Sequence, residues 1–234
     1  MITDGFIKRS VIAFRRSGYG DHEEEQQLRD SIALLKVKER KFETYRATEP
    51  SAPGIRPVPV VQCADVDHAS STAQLLRTSE YFGSERAILH VDNKHDDDET
   101  LKLLTAIGSA ASPIRAVVSV NKLKEGWGVK NVAIMVTLRV MASEVFTQQT
   151  LGRGLRLPFG KLTGIPHVDQ LDVIAHESFS RMLSNEQVLK EFGLDAINSE
   201  PKTPQLTGDY IAQVPPSELQ DDGDYSSLTA TASG

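Results

Sequence analysis

Cysteine is almost missing from this chain: Cys63 is the only one. A single thiol closes no internal disulfide, which excludes a stapled secreted scaffold and sets the expected compartment as a reducing one, the cytoplasm. No apolar run is long enough to cross a bilayer and no signal-peptide pattern follows Met1, so a membrane protein is not expected. Basic charge is not in excess either. Twenty-six Lys and Arg stand against 32 Asp and Glu, a net charge of -6. That excludes a wholly basic nucleic-acid coat and still allows a local basic groove. No stretch reads GxxxxGK[ST], and no acidic metal-binding box lies on a strand-like run. Asp96-Asp97-Asp98-Glu99 falls in a loop or helix start. A phosphate-cradling loop and its Mg²⁺ are therefore absent from these residues.

What is present reads as an ordinary globular composition, 39% hydrophobic and 25% charged over 234 residues, enough for one fair-sized domain with extras or two small ones. Residues 1–20 hold an apolar-basic segment that is one strand or an edge hairpin. Asp21 to Gln27 is acidic and opens a helix, in which Leu28, Ile32, Leu35 and Val37 give a partial apolar stripe. Three prolines and a glycine between Pro50 and Pro57 mark a linker, placing a boundary between a connector over 1–50 and a lobe over 51–198. Beyond it come five apolar runs: Val58 to Cys63, Ala87 to Val91, Ala116 to Val120, Val132 to Leu138 and Leu171 to Ala175. Helical patterns separate them, from Asp67, over Glu99 to Ile107, over Met141 to Gly152, and over Phe179 to Phe192. Continuously apolar strands alternating with helices predict an α/β fold, a mainly parallel sheet with helices on both faces. Ligands of such sheets bind beyond the carboxyl ends of the strands. Residues 199–234 are rich in Pro, Ser, Thr, Asp and Gly and read as a flexible tail.

Two stretches carry chemistry. The first is Gln149-Thr150-Leu151-Gly152-Arg153-Gly154-Leu155-Arg156, of pattern QxxGRxxR. Arginines three apart share a face of a helical turn, and each guanidinium is a permanent planar fork of donors that matches phosphate oxygens. Gly152 and Gly154 allow a ligand close to the backbone. A glycine-broken helix end, its arginines paired with surface carboxylates, fits the same letters. The second stretch runs from Ser119 through Asn121, Lys122 and Lys124 to Glu125, Gly126, Trp127 and Gly128. It puts a hydroxyl, positive charge and two glycines at one strand's carboxyl end. Trp127 there reads as a core wedge before a stacking platform.

These letters resemble a known family. SVNKLKEGWGVKNV followed by QQTLGRGLRLPFG is similar to motifs V and VI of superfamily 2 helicases, and more narrowly to the helicase-bearing restriction subunit of type III restriction–modification systems. PVVQCADVDHA and LDVIAHESF resemble the motif IV region and the segment after motif VI. The resemblance implies a RecA-like lobe, the second of two that close on ATP, and thus a partial helicase or ATPase inactive alone. By that resemblance Arg153 and Arg156 would stabilise charge on the γ-phosphate and Gln149 would sense the nucleotide. Glu125, Gly126, Gly128 and Gly152 would lie along the nucleotide. Gly128 stands where the family usually has Asp, which removes a carboxylate contact. Ser119, Asn121, Lys122, Lys94 and His68 would grip the backbone of double-stranded DNA, a contact independent of sequence. Implied partners are the first lobe, which holds ATP and Mg²⁺, and the methyltransferase subunit.

Other readings stay open: a non-enzymatic lobe that binds DNA or the methyltransferase, or a metal-dependent nuclease. Glu39-Arg40-Lys41 has the nuclease E-x-K spacing but lies in a helical-looking stretch. His90, Asp92 and His95 lack tight ligand spacing, and no metal ligands are assigned. His176-Glu177-Ser178 has no nucleophile elbow beside it.

Overall fold

A computed structural model describes residues 8–13, 23–91, 98–107, 109–120, 129–138 and 154–175. Within them six strands form one sheet: β1 (Arg9–Ala13), β2 (Val58–Cys63), β3 (Ile88–Val91), β4 (Ala116–Val120), β5 (Val132–Thr137) and β6 (Gln170–Ala175). Their order is β1-β6-β5-β2-β4-β3, and every pair is parallel. The α/β fold with a parallel sheet, expected from the apolar runs, is the fold observed. The first segment contributes a strand: β1 pairs with β6 from Arg9↔Gln170 to Ala13↔Ile174.

The helices are α1 (Glu23–Thr48), α2 (Val66–Arg77), α3 (Asp98–Ala106) and the single turn α4 (Pro166–Asp169). Helix α1 opens on Glu23, Glu24 and Glu25, whose charges suit the positive end of the helix dipole. Its buried face repeats every three or four residues through Leu28, Ser31, Leu35, Lys38, Phe42 and Tyr45. At α2 the Asp65 carboxylate accepts the His68 N–H at 2.8 Å, capping a helix that buries Ala69, Thr72, Ala73 and Leu76.

Both helices pack on the sheet face that carries Val61, Cys63, Val118, Val120, Ile134, Val136 and Ile174. The other face is equally buried, with Val60, Val117 and Leu171 at 0% exposure. Pro59 is unusual in an inner strand, because it lacks an N–H for the ladder. It sits where the β2–β5 register shifts, between Val58 and Pro59, and the β2–β4 pairing starts only at Val60. Residues expected as a connector, 1–50, contribute β1 and α1 to the same sheet and core. The described core also includes Leu28, Leu34, Leu35 and Val37 from α1. The helices expected over Met141 to Gly152 and Phe179 to Phe192, and the tail over 199–234, lie outside the described residues.

Candidate functional site

Side chains alternate along a strand, so register decides which polar groups meet. Gln62 pairs with Ser119 of β4 and with Thr137 of β5, and Val61, Val118 and Val136 form the neighbouring row. That neighbouring row belongs to the core under α1 and α2. Gln62, Ser119 and Thr137 therefore form a polar row on the opposite face. They occupy the last or next-to-last positions of their strands. All three are buried, at 1%, 0% and 0% exposure. Gln62 Nε2 and Oε1, Ser119 Oγ and Thr137 Oγ1 have no hydrogen-bond partner among the described residues. Each orphaned group costs about 1–3 kcal/mol when kept from water without a partner. Such a row lies at the end of a parallel sheet, the end where ligands of such sheets bind. Neutral hydroxyls and an amide can both donate and accept.

Ser119 was legible in the sequence. Thr137 was not singled out, although it carries the same signal, a hydroxyl ending a buried apolar run. Asn121 and Lys122, which follow β4, and Lys94, which follows β3, lie outside the described residues. So do Gln149, Gly152 and Arg153, together with Glu125, Gly126 and Gly128.

His68 is half-buried and engaged. Its Nδ1 accepts the Ala64 N–H at 3.3 Å, and its Nε2 lies 3.2 Å from Glu24 Oε2 in the acidic first turn of α1. Asp65 and Asp67 stand beside it, so this corner of the surface is acidic.

Arg156 lies elsewhere. The Lys8 backbone N–H donates to Leu155 O at 2.7 Å, immediately before β1 begins. A Cβ built on Gly154 would meet Leu171 Cδ2 at 2.8 Å, near the start of β6. The segment is thus anchored at the amino ends of β1 and β6, opposite the polar row. The close approach that glycine permits here is to Leu171. Arg156 itself is exposed. The structure does not bring it together with Ser119 or His68.

Beneath that anchor lies a buried charged cluster with no counterpart in the sequence reading. Lys38 of α1 donates to His167 O at 2.9 Å and Gln170 O at 3.1 Å, and its Nζ lies 2.7 Å from Asp172 Oδ2. Lys8 and Lys38 are 1% and 0% exposed. Burial, and then the charge of Lys38, push the Lys8 ammonium well below the ordinary lysine value, against the pull of Asp172 and Asp169. Asp169 closes the loop ahead of it by accepting the Thr163 N–H, the Thr163 hydroxyl and the Gly164 N–H at 2.8–3.0 Å. Gly164 has φ +79, which favours glycine there. Glu39 of the E-x-K spacing sits in α1 and pairs with Arg115, away from any strand pair that could hold Mg²⁺ with it.

Fold and site together define a parallel α/β domain with a buried polar row at its carboxyl edge and a surface arginine at its amino edge. No family model and no curated protein matches the chain. Several solved structures resemble it at low identity. A fragment assigned to an HsdR subunit of a type I restriction enzyme from Vibrio vulnificus YJ016 is 15% identical, with a TM-score of 0.46 over 86% of this chain and 36% of that one. Mss116p DEAD-box helicase domain 2, bound to an RNA duplex, is 14% identical, with a TM-score of 0.42 over 84% of this chain and 72% of that one. S. cerevisiae Dbp5, bound to RNA and ADP BeF3, is 12% identical, with a TM-score of 0.47 over 87% of this chain and 46% of that one. This chain spans about a third of the HsdR fragment, 36% of its length. Among the described residues no helix is long and apolar enough to cross a membrane.

Proposed function

We propose that this chain is the second, RecA-like motor lobe of a superfamily 2 DNA helicase or translocase of the type III restriction kind. It acts with a first lobe that supplies the P-loop. The observation that carries the reading is the buried row Gln62–Ser119–Thr137 at the carboxyl edge, without hydrogen-bond partners among the described residues. Ser119 lies within the stretch that resembles motif V. Polar groups there would bond the sugar–phosphate backbone of DNA, with Lys122 and Lys94 adding charge and Asn121 an amide, by resemblance. Backbone grip of this kind is independent of base sequence and weakens with salt.

ATP, bound with Mg²⁺ on the first lobe, supplies the hydrolysis that drives movement. Arg156 is the described residue of the proposed nucleotide-facing set. It is exposed, and among the described residues no carboxylate pairs with it. A guanidinium free of ion pairs can bind phosphate oxygens bidentately and offset developing charge. Arg153 and Gln149 complete the set by resemblance, with Glu125, Gly126, Gly128 and Gly152 along the nucleotide. The modification methyltransferase is a partner on the same ground.

The test has two arms. Fluorescence anisotropy of labelled duplex DNA should show binding whose logarithm falls linearly with the logarithm of salt, and Ser119→Ala with Thr137→Val should weaken it. Adding a P-loop lobe of the same restriction class should produce DNA-stimulated ATPase that Arg156→Ala removes. Equal activity in the Arg156 variant rejects the nucleotide assignment. A second reading is favoured by the absence of GxxxxGK[ST] from the sequence. In it the chain is a non-enzymatic lobe holding DNA or the methyltransferase, and DNA binding proceeds while no P-loop lobe elicits ATPase.

A further inference from the structure

Lys8 is separated from Gly154 by 146 positions, yet it holds that segment twice. Its backbone N–H donates to Leu155 O at 2.7 Å and its Nζ donates to Gly154 O at 3.2 Å. The same Nζ donates to Lys130 O at 3.2 Å and to Val132 O. An ammonium has three hydrogens, and here each has a carbonyl to meet. None of the three acceptors is a carboxylate. A solvated lysine gains nothing from such a place, because desolvating its charge is costly and an apolar side chain would fill the space at less expense. What the arrangement does provide is a fixed relation between two remote pieces of chain, the entry to β5 and the backbone at Gly154 and Leu155. Glycine completes it from the other side, since any Cβ at 154 would press into Leu171. The backbone is trapped between β6 and the ammonium. Arg156 leaves this trapped backbone into solvent.

We infer that Lys8 is a positioning residue, which clamps the backbone at Gly154 and Leu155 so that Arg156 is presented from a rigid base. The clamp itself stands on the hydrogen bonds; the identity of what Arg156 meets, a nucleotide phosphate on a partner lobe, rests on the function proposed above. Lys38 secures the neighbouring layer, tying α1 to Gln170 and Asp172 of β6.

The experiment compares the whole chain with its Lys8→Met and Lys8→Gln variants, the second keeping two of the three donors. Trypsin cleavage of the Arg156–Leu157 bond is followed by mass spectrometry, beside melting curves and DNA binding. The clamp predicts that cleavage at this bond quickens about tenfold or more in Lys8→Met, and less in Lys8→Gln, beyond any change at sites in α1. DNA Kd should stay within about twofold, because the polar row lies at the other end of the sheet. With a P-loop lobe added, kcat should fall about tenfold while the KM for ATP moves little, as a misplaced but intact guanidinium would cause. Unchanged cleavage at Arg156–Leu157, or a rise that merely tracks every other site, overturns the inference. If Lys8→Met fails to fold, Lys8→Gln carries the same comparison against a wild-type bond that must itself be protected. If the wild-type chain elicits no ATPase, the proposed function fails, and the proteolysis still decides the clamp.

Discussion

At the scale of single residues, the most informative are polar groups in the wrong solvent. Thr137 is 0% exposed and its hydroxyl is unbonded among the described residues. Valine has nearly its shape and no hydroxyl to desolvate. Thr137→Val should therefore leave the free chain as stable as before or more so, by up to about 1 kcal/mol, while weakening DNA binding. A variant that loses stability without losing affinity would make the hydroxyl structural. Lys8 gives a second prediction, through pH. Its folded-state value lies below the ordinary lysine value, with burial the first cause. Below the folded value both states carry the proton and the burial penalty is full. Between the two values the unfolded chain holds a proton that the folded chain has shed, so stability from this group rises with pH until the ordinary value is passed. Urea unfolding of wild type against Lys8→Met should show a difference that shifts in favour of wild type as the pH is raised towards 10. A difference that shifts the other way would mean that the carbonyls hold the proton more tightly than burial expels it. Neither residue is easily read from sequence. A lysine beside an arginine reads as surface charge, and only strand register reveals that Thr137 stands next to Gln62 and Ser119.

At the scale of elements, the strands were legible and the long helix was only half so. Val58 to Cys63, Ala116 to Val120 and Val132 to Thr137 are buried at every position, and such runs announce themselves as apolar. Helix α1 spans 26 residues, but its buried face includes Gln27, Asp30, Ser31 and Lys38. Polar residues on that face interrupt the apolar stripe that a reader of sequence follows, and the stripe fades after Val37. The helix start was signalled by its acids, whereas α2, expected from Asp67, begins at Val66 behind the Asp65 cap. Asp65→Ala removes a cap to the His68 N–H and should cost about 1 kcal/mol, read as a lower melting temperature with unchanged strand content. Gly154 is the stiffer case. The neighbour that a new Cβ would strike, Leu171, is itself 0% exposed and has little room to turn. Gly154→Ala should cost about 1–3 kcal/mol by overpacking. A Leu171→Val replacement, which removes a methylene, should recover part of that loss. Absence of any recovery would place the strain elsewhere.

At the scale of the whole molecule, the linker between Pro50 and Pro57 suggested a boundary, and the packing argues for one cooperative body across it. Composition signalled the break because prolines and a glycine end α1; composition cannot show that β1 pairs with a strand 161 positions later. The tie is ionic as well as apolar. Lys38 in α1 and Asp172 in β6 are 0% and 4% exposed in their side chains, with 2.7 Å between them. Lys38→Met would leave Asp172 buried without its cation, a change that costs about 3–5 kcal/mol. Cys63 supplies a probe on the far side of the supposed boundary. Its thiol is fully buried beside Thr72, and burial pushes it up to about 12, so a thiol reagent finds little thiolate until the sheet opens. If residues 23–48 and 58–175 unfold as one unit, helix content and Cys63 reactivity should change at the same urea concentration. Lys38→Met should then move both midpoints down together. Loss of helix signal at lower urea than Cys63 exposure, with only the helix transition moved by Lys38→Met, would restore the connector as a separate unit.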